Sequence, residues 1–198
     1  MKSLILLLFI TTFSIVAKSQ TIVFKTKADF LNGTGIVMDS EYVKTWESSF
    51  GMAVKFKDID GKETEWFNPK RTFAFLYKGR FFRSVGAELA MLIDTGKINF
   101  FINGFAGLGM LSHDRNHGSY LAGESSCYLS TGDMTTKIYM MPIIMHKRDY
   151  KRFKEDHPEF ESFYDNLRSK GRVAGPMNYE TVHDCVNRFN REQREGVQ

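Results

Sequence analysis

From residue 20 to about residue 143 the hydrophobic positions recur every second residue, in short runs broken by turn residues. In "MAVKFKD", Met52, Val54 and Phe56 fall on one face and Lys55 and Lys57 on the other. Asp60-Gly61 then supplies a tight turn, and "KETEWF" returns with Thr64 and Trp66 opposite Glu63 and Glu65. Asp-Gly between two alternating runs is a strong local signal for a β-hairpin. "RTFAFLY" and "RFFRSV" repeat the arrangement around Lys78-Gly79, and "ELAMLI" and "KINFFIN" repeat it around Asp94-Thr95-Gly96. A long Gly-rich connection, residues 104 to 125, leads to "SCYLST", Gly132-Asp133 and "MTTKIYMMPII", a further strand pair. Sequential hairpins with no helical period between them predict an antiparallel meander.

The period changes after Pro142. Tyr150, Phe153, Phe160, Phe163, Tyr164 and Leu167 recur at three- and four-residue spacing. Pro158 interrupts that run, so the pattern predicts two helices, with Asp156 or His157 capping the second and Pro158 in its first turn. Gly171 is expected to end it. "RVAGPM" reads as a linker, and Asn178 as the cap of a last helix carrying Tyr179, Val182, Val186 and Phe189 on one side. The expected fold is α+β. An antiparallel β-meander or partial barrel fills the N-terminal two thirds, and two or three short helices pack on it, with residues 20 to 198 forming a single domain (β-rich to 143, helical from 144).

The chain start changes the picture of where this domain works. Lys2, an apolar run from Leu4 to Val16 and Ala17-Lys18-Ser19 form a secretory signal pattern, with cleavage expected between Ser19 and Gln20. The apolar run is shorter than the roughly 20 residues of a membrane-spanning helix. The expectation is export to the periplasm or the medium, without a transmembrane segment. Cleavage would remove Lys2 and Lys18 and no acid, taking 27 basic and 23 acidic residues to 25 and 23. That mildly basic, mixed surface argues against nucleic acid as a partner. Aromatic residues make up 14% of the chain, eighteen of them Phe, enough to build a core rather than a disordered segment. In an oxidising compartment Cys127 and Cys185 form either a disulfide between a middle strand and the last helix or two buried thiols.

Candidate chemistry is sparse. Asp94-Thr95-Gly96 follows a hydrophobic run, as the catalytic carboxylate of an aspartic protease does. Such an enzyme needs two carboxylates sharing a proton, and the chain has no second Asp-Thr/Ser-Gly. Lys97 also stands where a small residue belongs, and a second carboxylate would have to come from a homodimer. The favoured reading is a three-residue hairpin loop, with Gly96 left-handed and Asp94 bonding local backbone amides. His113 and His117 have the i, i+4 spacing that chelates zinc on a helix. They lie in the Gly-rich connection, with no Glu between them as in H-E-x-x-H. That connection is nevertheless long enough to be a binding loop, with Phe105, His113, His117 and Tyr120 as its candidates. A basic stretch, Lys147, Arg148, Lys151, Arg152 and Lys154, suits anionic headgroups or glycans. Asp149, Glu155 and Asp156 dilute it toward an ordinary solvated helix face. No phosphate loop, serine nucleophile or cofactor motif stands out.

The order "FKTKADFLNG", "VKFKDIDGKE", "RTFAFLYKGRFFR", "GKINFFING", "CYLST" and "FKEDHPEFESFYDN" resembles a group of small secreted proteins of Bacteroidetes-type bacteria. Those proteins carry a Tyr-x-Gly-x-x-Phe-Arg-like turn and a C-terminal Phe-Lys-x-x-x-Pro-Glu segment. The resemblance covers most of the mature chain and implies an envelope or extracellular setting, with no catalytic residues. The leading expectation is an exported, non-enzymatic module that binds an envelope component, a glycan or a protein partner, without a cofactor or metal. The alternatives are a hydrolase, through Asp94 in a homodimer or a metal at His113 and His117, and membrane-surface binding by the basic 146–154 helix.

Overall fold

A computed structural model describes residues 21–38, 43–48, 51–56, 60, 62, 67–104, 107–108, 111, 126–141, 147–173 and 179–196. The strands are β1 (Thr21–Phe24), β2 (Ile36–Met38), β3 (Val43–Ser48), β4 (Gly51–Phe56), β5 (Ala74–Tyr77), β6 (Arg80–Val85), β7 (Glu88–Asp94), β8 (Ile98–Asn103), β9 (Cys127–Thr131) and β10 (Tyr139–Met141). Helix α1 is Lys27–Asn32, and α2 (Lys147–Asp156), α3 (Glu161–Val173) and α4 (Tyr179–Glu195) follow the last strand. Among the described residues eight strands form one open antiparallel sheet in the order β10-β9-β8-β7-β6-β5-β1-β2, and β3 and β4 form a separate hairpin. The α+β meander with helices after it is therefore the architecture.

Register explains why both sheet faces need cover. Val23, Phe75, Phe82, Met91, Ile102, Cys127 and Met141 are successive cross-strand partners, so one apolar row crosses seven strands on one face. Phe75 and Phe82 stack directly at 4.7 Å. Two covers share this face. Val54 and Phe56 of the β3–β4 hairpin, with Phe67, close the half around Val23, Phe75 and Tyr77. Phe153, Phe160, Phe163, Tyr164, Leu167, Val182, Val186 and Phe189 of the C-terminal helices close the half around Phe100, Cys127 and Met141. On the opposite face Phe30 of α1 packs against Phe24, Phe73 and Phe81 at 5.3 to 5.6 Å. Met134 and Ile138, in the β9–β10 connection, pack onto the same cluster. Arg83 donates to the Met134 carbonyl from beneath, its guanidinium 3.9 Å from the Phe73 ring centre.

Several local expectations change. Helix α1 lies where only strands and turns were expected. A reciprocal capping box, Thr26 with Asp29, starts it, and Gly33 at φ 67° ends it. Lys78 and Gly79, at φ 47° and 73°, form the turn expected between β5 and β6. Strand β4 pairs along its whole length with the preceding β3, a partner the alternation did not predict. Of the strand expected after Asp60-Gly61, Phe67 bridges Val54 through two backbone hydrogen bonds, while Gly61 and residues 63–66 lie outside the described residues. Gly171 sits inside α3 rather than ending it. His157 precedes a short 3₁₀ turn, Pro158–Phe160, without a side-chain cap bond. Asp156 spends its carboxylate elsewhere, on Tyr139 and Lys137. Asn178 lies outside the described residues.

The β7–β8 hairpin departs furthest from expectation. Its pairing shifts register between Leu92 and Asp94 and ends at Asp94 opposite Phe100. Gly96 is not among the left-handed glycines, and its amide donates to Asn99 Oδ1 at 3.2 Å. The constraint on Gly96 is contact, since a Cβ there would lie 2.4 Å from Asn190 Cγ. Buried Asn190 of α4 accepts from the Ile98 amide at 3.0 Å and donates to the Ile98 carbonyl at 2.8 Å, acting as one more strand residue at the turn end of the hairpin. Asn190→Ala is expected to cost about 3 kcal/mol, because it leaves a buried N–H and C=O unpaired. Gly96→Ala is also expected to destabilise, and to cost less when Asn190 is already Ala. Urea unfolding of both single variants and the double variant checks this, and strict additivity would contradict the shared contact.

Candidate functional site

Asp94 ends β7, half-exposed, and is met by the C-terminal helix. His183 Nε2 of α4 donates to Asp94 Oδ2, and the Asn187 amide lies 3.1 Å from the same Nε2. His183, Asn187 and Asn190 occur at i, i+4 and i+7, so they form one stripe of the helix over the hairpin. The His183 ring stacks on the buried Phe100 ring at 4.6 Å and 25°. The expected role of Asp94, bonding the amides of its own turn, is replaced by this long-range contact, and Asn99 is the side chain that bonds the Gly96 amide.

A second polar cluster joins the α2–α3 corner to the end of β9 and to β10. Asp156 accepts from Tyr139 Oη at 2.5 Å and from Lys137 Nζ at 2.9 Å, and these bonds hold its carboxyl below the ordinary range. His157 lies 3.4 Å from Thr131 Oγ1 and 3.3 Å from Glu159, and stacks on Phe160. Tyr164 Oη donates to the His157 carbonyl at 2.8 Å. On the other sheet face Tyr128 Oη donates to Glu88 at 2.6 Å; burial, then the Glu88 charge, push that phenol well above its usual value. Each of these groups joins two elements of the fold.

Of the basic candidates, Lys151, Arg152 and Lys154 are exposed on α2, while Phe153 on the same helix is buried. Lys151 pairs with Glu155 at 3.5 Å, as on a solvated amphipathic helix. Lys147 and Arg148 begin α2, but their side chains lie outside the described residues, as do the loop candidates Phe105, His113, His117 and Tyr120. The start of that loop packs on the sheet. Leu108 is fully buried, and a Cβ on Gly104 or Gly107 would meet Leu89 or Met91 at 2.5 Å. Cys127 and Cys185 are free, buried thiols in one core cluster, and burial pushes Cys127 up to about 12 and Cys185 upward. Among the described residues no three His, Cys, Asp or Glu side chains converge as metal ligands, and no helix is long and apolar enough to cross a membrane. Among the described residues the large hydrophobic side chains that stand exposed are Leu31, Ile36 and Val37, on α1 and the edge strand β2.

The chain matches no protein-family model, no curated protein and no solved structure. Of the polar residues gathered around Asp94, the hydrophobic periodicity pointed to none. The available signal was Asn190, a polar residue beside Val186 and Phe189 on the side of the last helix that packs inward.

Two measurements bear on these assignments. A thiol reagent is expected to leave both cysteines unmodified in the folded protein and to label both in denaturant, since only thiolate reacts and burial disfavours it. Rapid labelling of either in the folded state would contradict their placement. Asp156 should titrate below the ordinary carboxyl value of 3.8. A lowered folded value contributes stability above the unfolded value, and that contribution is lost as pH falls through the folded one. Tyr139→Phe should raise the Asp156 value in an NMR titration of the carboxyl carbon; no change would remove the phenol as cause.

Proposed function

We propose that this protein is an exported, non-enzymatic module that binds an envelope component, and that its partner is a protein docking at the β2 edge. The observation that carries the reading is the exposed apolar group Leu31, Ile36 and Val37, at 63%, 42% and 41% exposure. Ile36 and Val37 point to opposite faces of a strand that, among the described residues, lies at the sheet edge and pairs with β1. An edge offers unpaired backbone groups, and apolar side chains beside it add affinity to a strand or loop laid against it. The polar clusters support the non-enzymatic part, because Asp94, His183, Asp156, His157, Glu88 and Tyr128 are each engaged between elements of the fold. The signal pattern at residues 1–19 supports export.

The test is co-sedimentation of the purified protein with a washed envelope fraction, before and after that fraction is treated with protease. Binding is expected to be protease-sensitive and to fall at least about tenfold for Ile36→Lys/Val37→Lys, as for loss of apolar anchors. Lys151→Gln/Arg152→Gln should bind as the parent does. Equal binding by the β2 variant would refute the edge as the docking site. Loss confined to the Lys151/Arg152 variant, with weakening as salt rises, would favour a membrane-surface role for α2 instead.

A further inference from the structure

We propose that a second copy of this chain occupies the β2 edge when no other partner does, joining two sheets antiparallel through β2 and hiding the docking surface. The pairing stands on the edge itself, and only its regulatory consequence rests on the docking proposed above. The three large hydrophobic side chains exposed among the described residues, Leu31, Ile36 and Val37, lie on β2 and on α1, the helix that precedes it. Cross-strand partners share a face of the sheet. Val37 stands opposite Ile22, on the face that α1 covers, and Ile36 stands opposite Val23, in the core of the other face. The edge is therefore apolar above and below its backbone.

Two such edges suit each other. An antiparallel strand pair has a two-fold axis perpendicular to the sheet, so each face of one copy continues as the same face of the other. Centred on Val37, the middle residue of the strand, the pairing sets Val37 against Val37 and Ile36 against Met38 across the axis. It also brings both α1 helices, with Leu31, to one side. A single symmetric contact thus covers all three side chains. Edge strands that resist such pairing carry a lysine, a proline or a bulge. Ile36-Val37-Met38 carries none of these and pairs with β1 in unbroken register. The opposite edge strand, β10, is packed by α2, so the sheet extends at one end and the assembly closes as a dimer. A three-residue strand with one short helix buries less than the roughly 800 Å² per partner of a standard interface. The dimer is therefore weak and reversible, and a longer strand from another protein displaces it.

Sedimentation velocity of the purified protein over about a hundredfold range of concentration tests the pairing. The expected result is a monomer–dimer equilibrium with a micromolar dissociation constant. Ile36→Lys/Val37→Lys should weaken association at least about tenfold, and so should Leu31→Lys, which leaves β2 intact. Lys151→Gln/Arg152→Gln should associate as the parent does. Pairing centred on Val37 sets its two Cα atoms about 4.5–5.5 Å apart, within disulfide reach. Val37→Cys should therefore cross-link into a dimer under mild oxidation, and Lys151→Cys should not. The cross-linked dimer should fail to co-sediment with the washed envelope fraction until dithiothreitol releases it. A monomer at every concentration, with no cross-linking of Val37→Cys, overturns the pairing and leaves the docking untouched. A dimer that persists in Leu31→Lys and in the β2 double variant overturns β2 as its contact. Undiminished envelope binding by the cross-linked dimer overturns the masking. Failure of the parent to bind the envelope fraction, with dimerisation intact, overturns the docking instead.

Discussion

An antiparallel sheet that is apolar on both faces cannot stand alone, and the elements packed around this one answer that constraint. Residues alternate between faces along each strand. Here both sets are hydrophobic, the row from Val23 to Met141 on one side and Phe24, Ala74, Phe81, Phe101 and Tyr128 on the other. Burying a phenylalanine side chain contributes on the order of 2 kcal/mol, so leaving either face wet would forgo much of the folding energy. Among the described residues they are covered by the β3–β4 hairpin together with Leu108, by the C-terminal helices, and by α1 with the β9–β10 connection. Because the main face is divided between two covers, its core is divided as well, and Ile93 and Ile102 border both halves.

Hydrophobic burial is non-directional, so it can press α4 onto β8 without choosing where along the strand it lies. The polar contacts make that choice. Asn190 matches the Ile98 amide and carbonyl at once, which one register of the helix satisfies, and Gly96 leaves the space for it. His183 with Asp94, and His157 with Thr131, add contacts at the helix–sheet boundary. Such half-exposed polar pairs contribute little energy individually. Their effect is on position: they set where the helical layer stops relative to the hairpin ends.

The parts of this fold legible in the sequence are those whose cause is local. Lys78-Gly79 marks a turn because the backbone there must take positive φ at both positions, a demand carried by two adjacent residues. The helical period after Pro142 is equally local, and α2, α3 and α4 follow it. Helix α1 was legible in principle through Thr26, Asp29 and Gly33, but it spans six residues, too short for the apolar period to show. The pairing of β4 with β3 was not legible from alternation, which says which face a residue takes and nothing about which neighbour it faces. Asp94 is the clearest case. Its motif invited a local explanation, in a turn or a catalytic dyad, while its partner lies 89 residues away on a helix whose docking no pattern near Asp94 encodes.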